Sequence, residues 1–263
     1  MRIISIIFIF WASTSLGQTQ FQSIYDSLGV VGSTTIYDYK NNKWYFTDHQ
    51  DAEIKSLPAS TFKILNSLIL LENKILKDEN EIYKWDKLPK SHFGVRINAW
   101  EQDTDLKSAY QNSTVWFYVK ASQHIKRDTY KKTLRKISYG NNVLNQEDVD
   151  FWNYGDFAIS PKNQVEFLIK LYENKLPFSH RNIHTVKQIM ISEKNTNYIF
   201  RDKTGWTQRH GKDIGWWVGY LETKENVFFF ATRLTKDINE DNPNFMRGRM
   251  EVTKKILKEI NSY

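Results

Sequence analysis

The chain has no cysteine. Thiol catalysis, cysteine-ligated metals and disulfide staples are therefore excluded, as is a lipid anchor on a cysteine after the leader. A chain of 263 residues is long enough to hold itself together by packing alone. Histidine is scarce: six residues, with no His-x-x-x-His or similar spacing, which argues against a metal site. Beyond Trp11 no apolar run is long enough to cross a bilayer, and repeats and low-complexity linkers are absent. Blocks of one charge sign are missing too. The net charge of +7 is spread over short pairs such as Lys126-Arg127, Lys131-Lys132 and Lys254-Lys255. That pattern marks solvated helix faces and argues against nucleic-acid binding, while a mild positive field suits an anionic small substrate.

What is present starts with Met1-Arg2, an apolar run from Ile3 to Trp11, and small residues up to Gly17. This pattern predicts a signal peptide over residues 1–17, with Ser15 and Gly17 placed for cleavage, and a mature chain exported to the periplasm. Losing Arg2 leaves a charge of +6. The remainder, 18–263, suits one large domain or two interlocked subdomains, and an aromatic content of 15% with nine Trp promises a substantial core.

Gly32–Lys40 and Lys43–Thr47 are β-rich runs divided by Asn41-Asn42, the pattern of a hairpin. The middle reads as helical: Ser60–Asn73, Ser113–Ser122, Arg127–Ile137, and Pro161–Glu173 with proline at its first position. Strands return after Asn195, over Arg201–Gly205, Gly215–Glu222 and Val227–Leu234. The unbroken apolar content of Phe228-Phe229-Phe230-Ala231 predicts a strand covered on both faces, with an amphipathic helix over Arg247–Ile260 packed on the sheet. The expected class is α/β. A sheet subdomain is built from both chain ends (about 18–59 and 195–263), and a helical subdomain (about 60–194) is inserted between them. Clefts between such parts are where small-molecule sites form.

Within that plan, Ser60 and Lys63 lie three residues apart at the head of a helix, on one face. The apolar stretch Ile64–Leu71 behind them predicts a buried helix. A lysine there faces the positive end of the macrodipole and a medium that penalises charge, so the neutral amine is favoured, as a base beside a serine nucleophile requires. The alternative is a Ser60 N-cap with Lys63 reaching out to water.

Downstream, in order, come Ser113-Thr114-Val115, Tyr139-Gly140-Asn141, Phe151-Trp152-Asn153-Tyr154-Gly155 and Lys203-Thr204-Gly205-Trp206. A serine–lysine pair followed by Lys-Thr-Gly marks β-lactamases and penicillin-binding proteins. With Ser-Thr-Val in the middle, the set resembles the class D (oxacillinase-type) serine β-lactamases, over about Thr34 to Leu257. Asn163–Leu168 and Gly215–Tyr220 add to the resemblance.

The resemblance implies the β-lactamase/transpeptidase-like fold, with an antiparallel sheet, flanking terminal helices and an active site in the cleft. It implies hydrolysis of penicillin-type antibiotics through an acyl-enzyme on Ser60, with resistance as the outcome. Lys63 is implied as the base, modified by carbon dioxide to a carbamate (N6-carboxylysine), with no other cofactor and no metal. Trp152 would donate its indole N–H to that anion, and Val115 would supply apolar wall beside it. Ser113 would relay a proton to the leaving nitrogen, or cap the helix that follows. Lys203, Thr204 and Gly205 would border the substrate, with the Trp206 N–H in the oxyanion hole and the Trp206 ring in strand packing. Arg249 matches the arginine that pairs with the substrate carboxylate, and Arg247 is its competitor. Tyr139-Gly140-Asn141 is assigned a structural role, and the Thr207–Ile214 segment is expected to govern substrate range. One departure stands out: Asn153 occupies a place where the family commonly has Leu. The competing readings are a β-lactam-sensing domain and a D,D-peptidase penicillin-binding domain. A sensor needs transmembrane helices, and a peptidase usually carries Ser-x-Asn where this chain has Val115. Monomer and homodimer both remain open.

Overall fold

The computed structural model describes residues 21–261, and the expected signal peptide lies outside them. A six-stranded antiparallel sheet in the order β2-β1-β8-β7-β6-β5 forms the centre. Its strands are β1 (Val31–Asp38), β2 (Lys43–Phe46), β5 (Ile191–Lys194), β6 (Tyr198–Arg209), β7 (Lys212–Thr223) and β8 (Val227–Asp237). A separate small hairpin, β3 (Ser91–His92) with β4 (Val95–Arg96), lies between the early helices. The first hairpin turns where expected, because the Asp38 carboxylate accepts the Asn41 backbone and side-chain N–H groups at 3.1 and 2.8 Å and Asn42 takes a φ of 50°.

Both faces of the sheet are covered, which explains the unbroken apolar run in β8. Successive strand side chains point to opposite faces. Phe228 and Phe230 join a core with α1 (Gln22–Leu28) and the C-terminal α8 (Phe245–Asn261). Phe229 and Ala231 join the larger core beneath the other helices. Those helices are α2 (Lys63–Glu72), α3 (Leu106–Gln111), α4 (Val115–Ser122), α5 (Arg127–Ile137), α6 (Pro161–Tyr172) and α7 (His180–Ile189). Leu65, Leu68 and Ile69 of α2 are fully buried, so each contributes on the scale of a core aliphatic, where truncation to Ala costs about 2–5 kcal/mol.

The strands run longer than composition predicts. Arg209 pairs with Lys212 across a tight turn of His210 (φ 49°) and Gly211 (φ 73°), so most of the segment expected as a loop over 207–214 is strand. The sheet also starts earlier, with β5 at Ile191 ahead of the return of strands expected at Asn195. β5 pairs with β6 only as far as Arg201. From Lys203 onward that edge of β6 has no strand partner among the described residues, and the turn carrying Ser60 packs against it.

Candidate active site

Ser60 stands in a 3₁₀ turn, Ala59–Phe62, that runs straight into α2 at Lys63. Ala59 is held at a φ of +52°, in the left-handed region that a non-glycine residue adopts at a cost of roughly 1–3 kcal/mol. Three contacts over-determine the turn. The Ala59 N–H donates to the Trp152 carbonyl at 2.9 Å, the Thr61 hydroxyl to the Pro58 carbonyl at 2.7 Å, and the Gln164 amide to the Thr61 hydroxyl at 2.8 Å. Gly205 of β6 comes so close that a Cβ there would lie 3.1 Å from the Pro58 carbonyl oxygen and 3.2 Å from the Ala59 Cβ. Glycine at this position thus lets the turn carrying Ser60 dock on the strand.

The Lys63 Nζ donates to the Ser60 Oγ at 2.7 Å. Ser60 is therefore not a helix cap, and Lys63, fully buried, does not reach water. Burial chiefly, with Lys203 assisting, lowers the Lys63 pKa towards the neutral amine, and Asp150 acts in the opposite sense. No ion pair engages Lys63 among the described residues, and its ammonium position lies over the Tyr118 ring at 5.2 Å. Trp152 is fully buried, stacked on Phe62 at 5.5 Å, and among the described residues its indole Nε1 has no hydrogen-bond partner.

Ser60, Ser113, Thr204, Gly205, Trp206 and Arg249 line one cavity of about 140 Å³. Ser113, at a φ of +58°, precedes α4 but does not cap it; Thr114 occupies the cap position. Lys203 lines an adjoining cavity of about 490 Å³, with Thr204 shared between the two. Burial brings the Lys203 pKa down to about 7, and its amine lies 5.5 Å over the Tyr110 ring. The Trp206 carbonyl faces the His92 Nε2 at 3.3 Å, off the sheet. In a strand the N–H and C=O of one residue point to the same side, so the Trp206 N–H faces the cleft. The Trp206 ring packs on Phe93 and His92 and donates to Asp213 at 2.8 Å. Val115 is half-buried at the start of α4 and borders neither cavity.

A protein-family model for the penicillin-binding protein transpeptidase domain matches residues 29–262. Among characterised relatives, the chain is 36% identical to β-lactamase OXA-48 of Klebsiella pneumoniae over 228 residues, 87% of this chain and 83% of that one. It is 40% identical to OXA-2 of Salmonella typhimurium over 206 residues, 77% and 70% of the two chains. Among solved structures, a class D β-lactamase from Sebaldella termitidis superposes with a TM-score of 0.86 at 42% identity, covering 91% of this chain and 95% of that one. The chain belongs to the class D serine β-lactamases. It is a hydrolase of the β-lactam ring, on the β-lactamase/transpeptidase fold that the sequence implies.

In this β-lactamase the two candidate arginines part company. Arg249 is buried, donates to the Gly205 carbonyl at 2.6 Å, and among the described residues has no partner for its Nε. Burial lowers its pKa to about 10, still a cation at neutral pH. Arg247 is exposed and paired with Glu251 at 2.6 Å. In Tyr139-Gly140-Asn141 the Asn141 side chain donates to the Asp156 carbonyl and accepts from the Ala158 N–H, and none of the three borders either cavity. Arg209, in the segment expected to govern substrate range, ties the β6–β7 hairpin to Asp156 at 2.5 Å. His92, Ile97, Trp100, Asn112 and Met246 also line the cavity, and sequence reasoning missed all five. They come from loops and element ends without periodicity, so no signal in the sequence marks them.

Proposed function

We propose that Ser60 is the nucleophile and Lys63, as a carbamate, the base of this β-lactamase. The observation that carries the reading is the 2.7 Å contact between the Lys63 amine and the Ser60 hydroxyl, in a site too buried to favour an ammonium. The neutral amine attacks the carbon of carbon dioxide, an N–C bond forms, and one N–H proton is released. The unpartnered Trp152 Nε1 supports a hydrogen bond to the resulting anion.

The carbamate removes the Ser60 proton as Oγ attacks the lactam carbonyl, whose oxygen is held by the Ser60 and Trp206 N–H groups. The C–N bond breaks, and the nitrogen receives a proton through Ser113. Water, activated by the same carbamate, then cleaves the ester. Arg249, with Lys203 and Thr204 nearby, holds the substrate carboxylate. The enzyme acts after export, in the periplasm, and confers resistance. Val115 contributes apolar wall at most.

Intact-protein mass spectrometry with a slow substrate tests the assignment. An acyl adduct on the Ser60 peptide, absent from Ser60→Ala, is expected, and an adduct on any other residue overturns it.

A further inference from the structure

Trp206 lines the Ser60 cavity together with Arg249, and its indole is tethered to a buried carboxylate, that of Asp213. The register of the sheet brings the two together. Gln208, Asp213 and Lys236 stand directly opposite one another on β6, β7 and β8, so their side chains share one face. Trp206 lies two residues before Gln208 on that same face, a diagonal neighbour of Asp213.

Donors converge on the carboxylate. Its Oδ1 accepts the Trp206 indole N–H at 2.8 Å and the Gln208 amide at 3.1 Å, and its Oδ2 is paired with the Lys236 Nζ at 2.7 Å. Lys236 is itself fixed: it donates to the Asp237 and Glu240 carbonyls at 3.1 and 2.8 Å and lies 5.5 Å over the Phe245 ring. On its other side the indole meets aromatic rings, His92 at 5.6 Å and Phe93 at 5.3 Å. Such ring contacts tolerate several arrangements, whereas a hydrogen bond to a carboxylate fixes one orientation. The Trp206 backbone is secured separately, by pairing with Gly215 in the β6–β7 ladder. Ring and backbone therefore answer to different partners.

We propose that Asp213 is a specificity-determining positioning residue. It locks the Trp206 ring beside the place of the substrate carboxylate, so that β-lactams with a compact group there are preferred over those with a bulky one. In a bicyclic β-lactam the carbon bearing the carboxylate is bonded to the carbon that carries the methyl groups of a penicillin or the 3-substituent of a cephalosporin. A cavity of about 140 Å³ leaves little room for a large 3-substituent while the ring is fixed. The inference rests on the reading above, in which the substrate acylates Ser60 with its carboxylate at Arg249.

The test uses the mature enzyme and its Asp213→Ala, Trp206→Phe, double and Lys236→Met variants. Indole N–H groups are followed in ¹H–¹⁵N spectra, with the Trp206 resonance identified by its loss in Trp206→Phe. Steady-state kinetics compare a penicillin with a cephalosporin bearing a bulky 3-substituent. Asp213→Ala should speed exchange of the Trp206 indole N–H with water about tenfold or more. It should also lower the preference in kcat/KM for the penicillin by about five- to tenfold, through KM, with kcat nearly unchanged. Trp206→Phe should lower the preference likewise, and the double variant no further. Lys236→Met removes the ion pair but leaves the indole its acceptor, so it should lower stability to urea without moving either readout.

An unaltered N–H exchange in Asp213→Ala, or a preference that is unchanged or increased, overturns the proposal, as does an equal loss of preference in Lys236→Met. Should Asp213→Ala not fold, Trp206→Phe decides, and an unchanged preference there overturns the proposal. Mass spectrometry separates this failure from that of the underlying reading. An acyl adduct on Ser60 keeps that reading standing, and an adduct on another residue overturns both.

Discussion

Replacing Trp152 with Phe separates what the indole does for the fold from what it does for the proposed carbamate. The ring stacked on Phe62 is retained in kind, and only the N–H and part of the ring are lost. In the unmodified enzyme that N–H is buried without a partner, a condition that costs about 1–3 kcal/mol, so its removal stabilises. The smaller ring leaves a void of roughly 40 Å³, which at about 24 cal/mol per Å³ takes back about 1 kcal/mol, with a further loss of buried apolar area. The two effects nearly cancel, and the melting temperature of the carbonate-free enzyme should move by only a few degrees. The carbamate, in contrast, loses a hydrogen bond to a charged group worth about 1.5–3 kcal/mol, which is about 10- to 150-fold in bicarbonate affinity. The assay is a bicarbonate titration of degassed enzyme, with hydrolysis of a chromogenic cephalosporin as one readout and the ¹³C carbamate signal as the other. Half-saturating bicarbonate within threefold of wild type, in an enzyme of normal stability, would refute the role given to the indole.

Arg249→Ala should raise KM at least tenfold through loss of a charge-assisted carboxylate contact of about 1.5–3 kcal/mol, whereas Arg247→Ala should leave it within twofold; steady-state kinetics on a penicillin decides, and the reverse order reassigns the arginine. Gly205→Ala should lower kcat/KM, by less than the roughly 10²-fold that a 1 Å misplacement costs, since the new methyl presses on the turn that carries Ser60 at 3.1–3.2 Å; steady-state kinetics at unchanged or higher kcat/KM would count against that docking. For His92, burial brings the pKa from 6.5 down to about 4. Between those values the unfolded chain binds the extra proton, so stability falls as pH drops through 6.5 and the loss is complete below about 4. It amounts to at most about 3 kcal/mol. Denaturant titrations at pH 7.5 and 4.5 should show that His92→Phe removes part of the acid sensitivity, and equal losses in both proteins would count against this origin.

The elements that local chemistry specifies were legible from residues alone. Asn41-Asn42 marked the first turn, Pro161 the start of α6, and the helical period of Arg127–Ile137 matched α5 at both ends. The run at Phe228–Ala231 carried the two-sided burial of β8 in plain view. Short elements stayed hidden: α1, α3 and β5 are too short to show a period, and α7, whose Ile183, Val186 and Ile189 do recur every third residue on a buried face, was overlooked. The same division runs through the site. Ser60, Lys63 and the Lys203-Thr204-Gly205 strand could be named because each motif is contiguous and its spacing holds a chemical meaning. Arg249 was preferred to Arg247 by its resemblance to the family arginine, but what turns it inward lies outside the sequence: the two stand two residues apart, and the packing of α8 against β7 and β8 buries one and exposes the other. His92, Trp100 and Met246 come to one cavity with Trp206 from three separate segments, and no one-dimensional pattern records that. Asn153 was visible as a departure, but its partner was not. The amide could face the cavity or Asp150 with equal ease in an extended chain, and the fold brings the carboxylate within reach, leaving the amide one place to satisfy its donors.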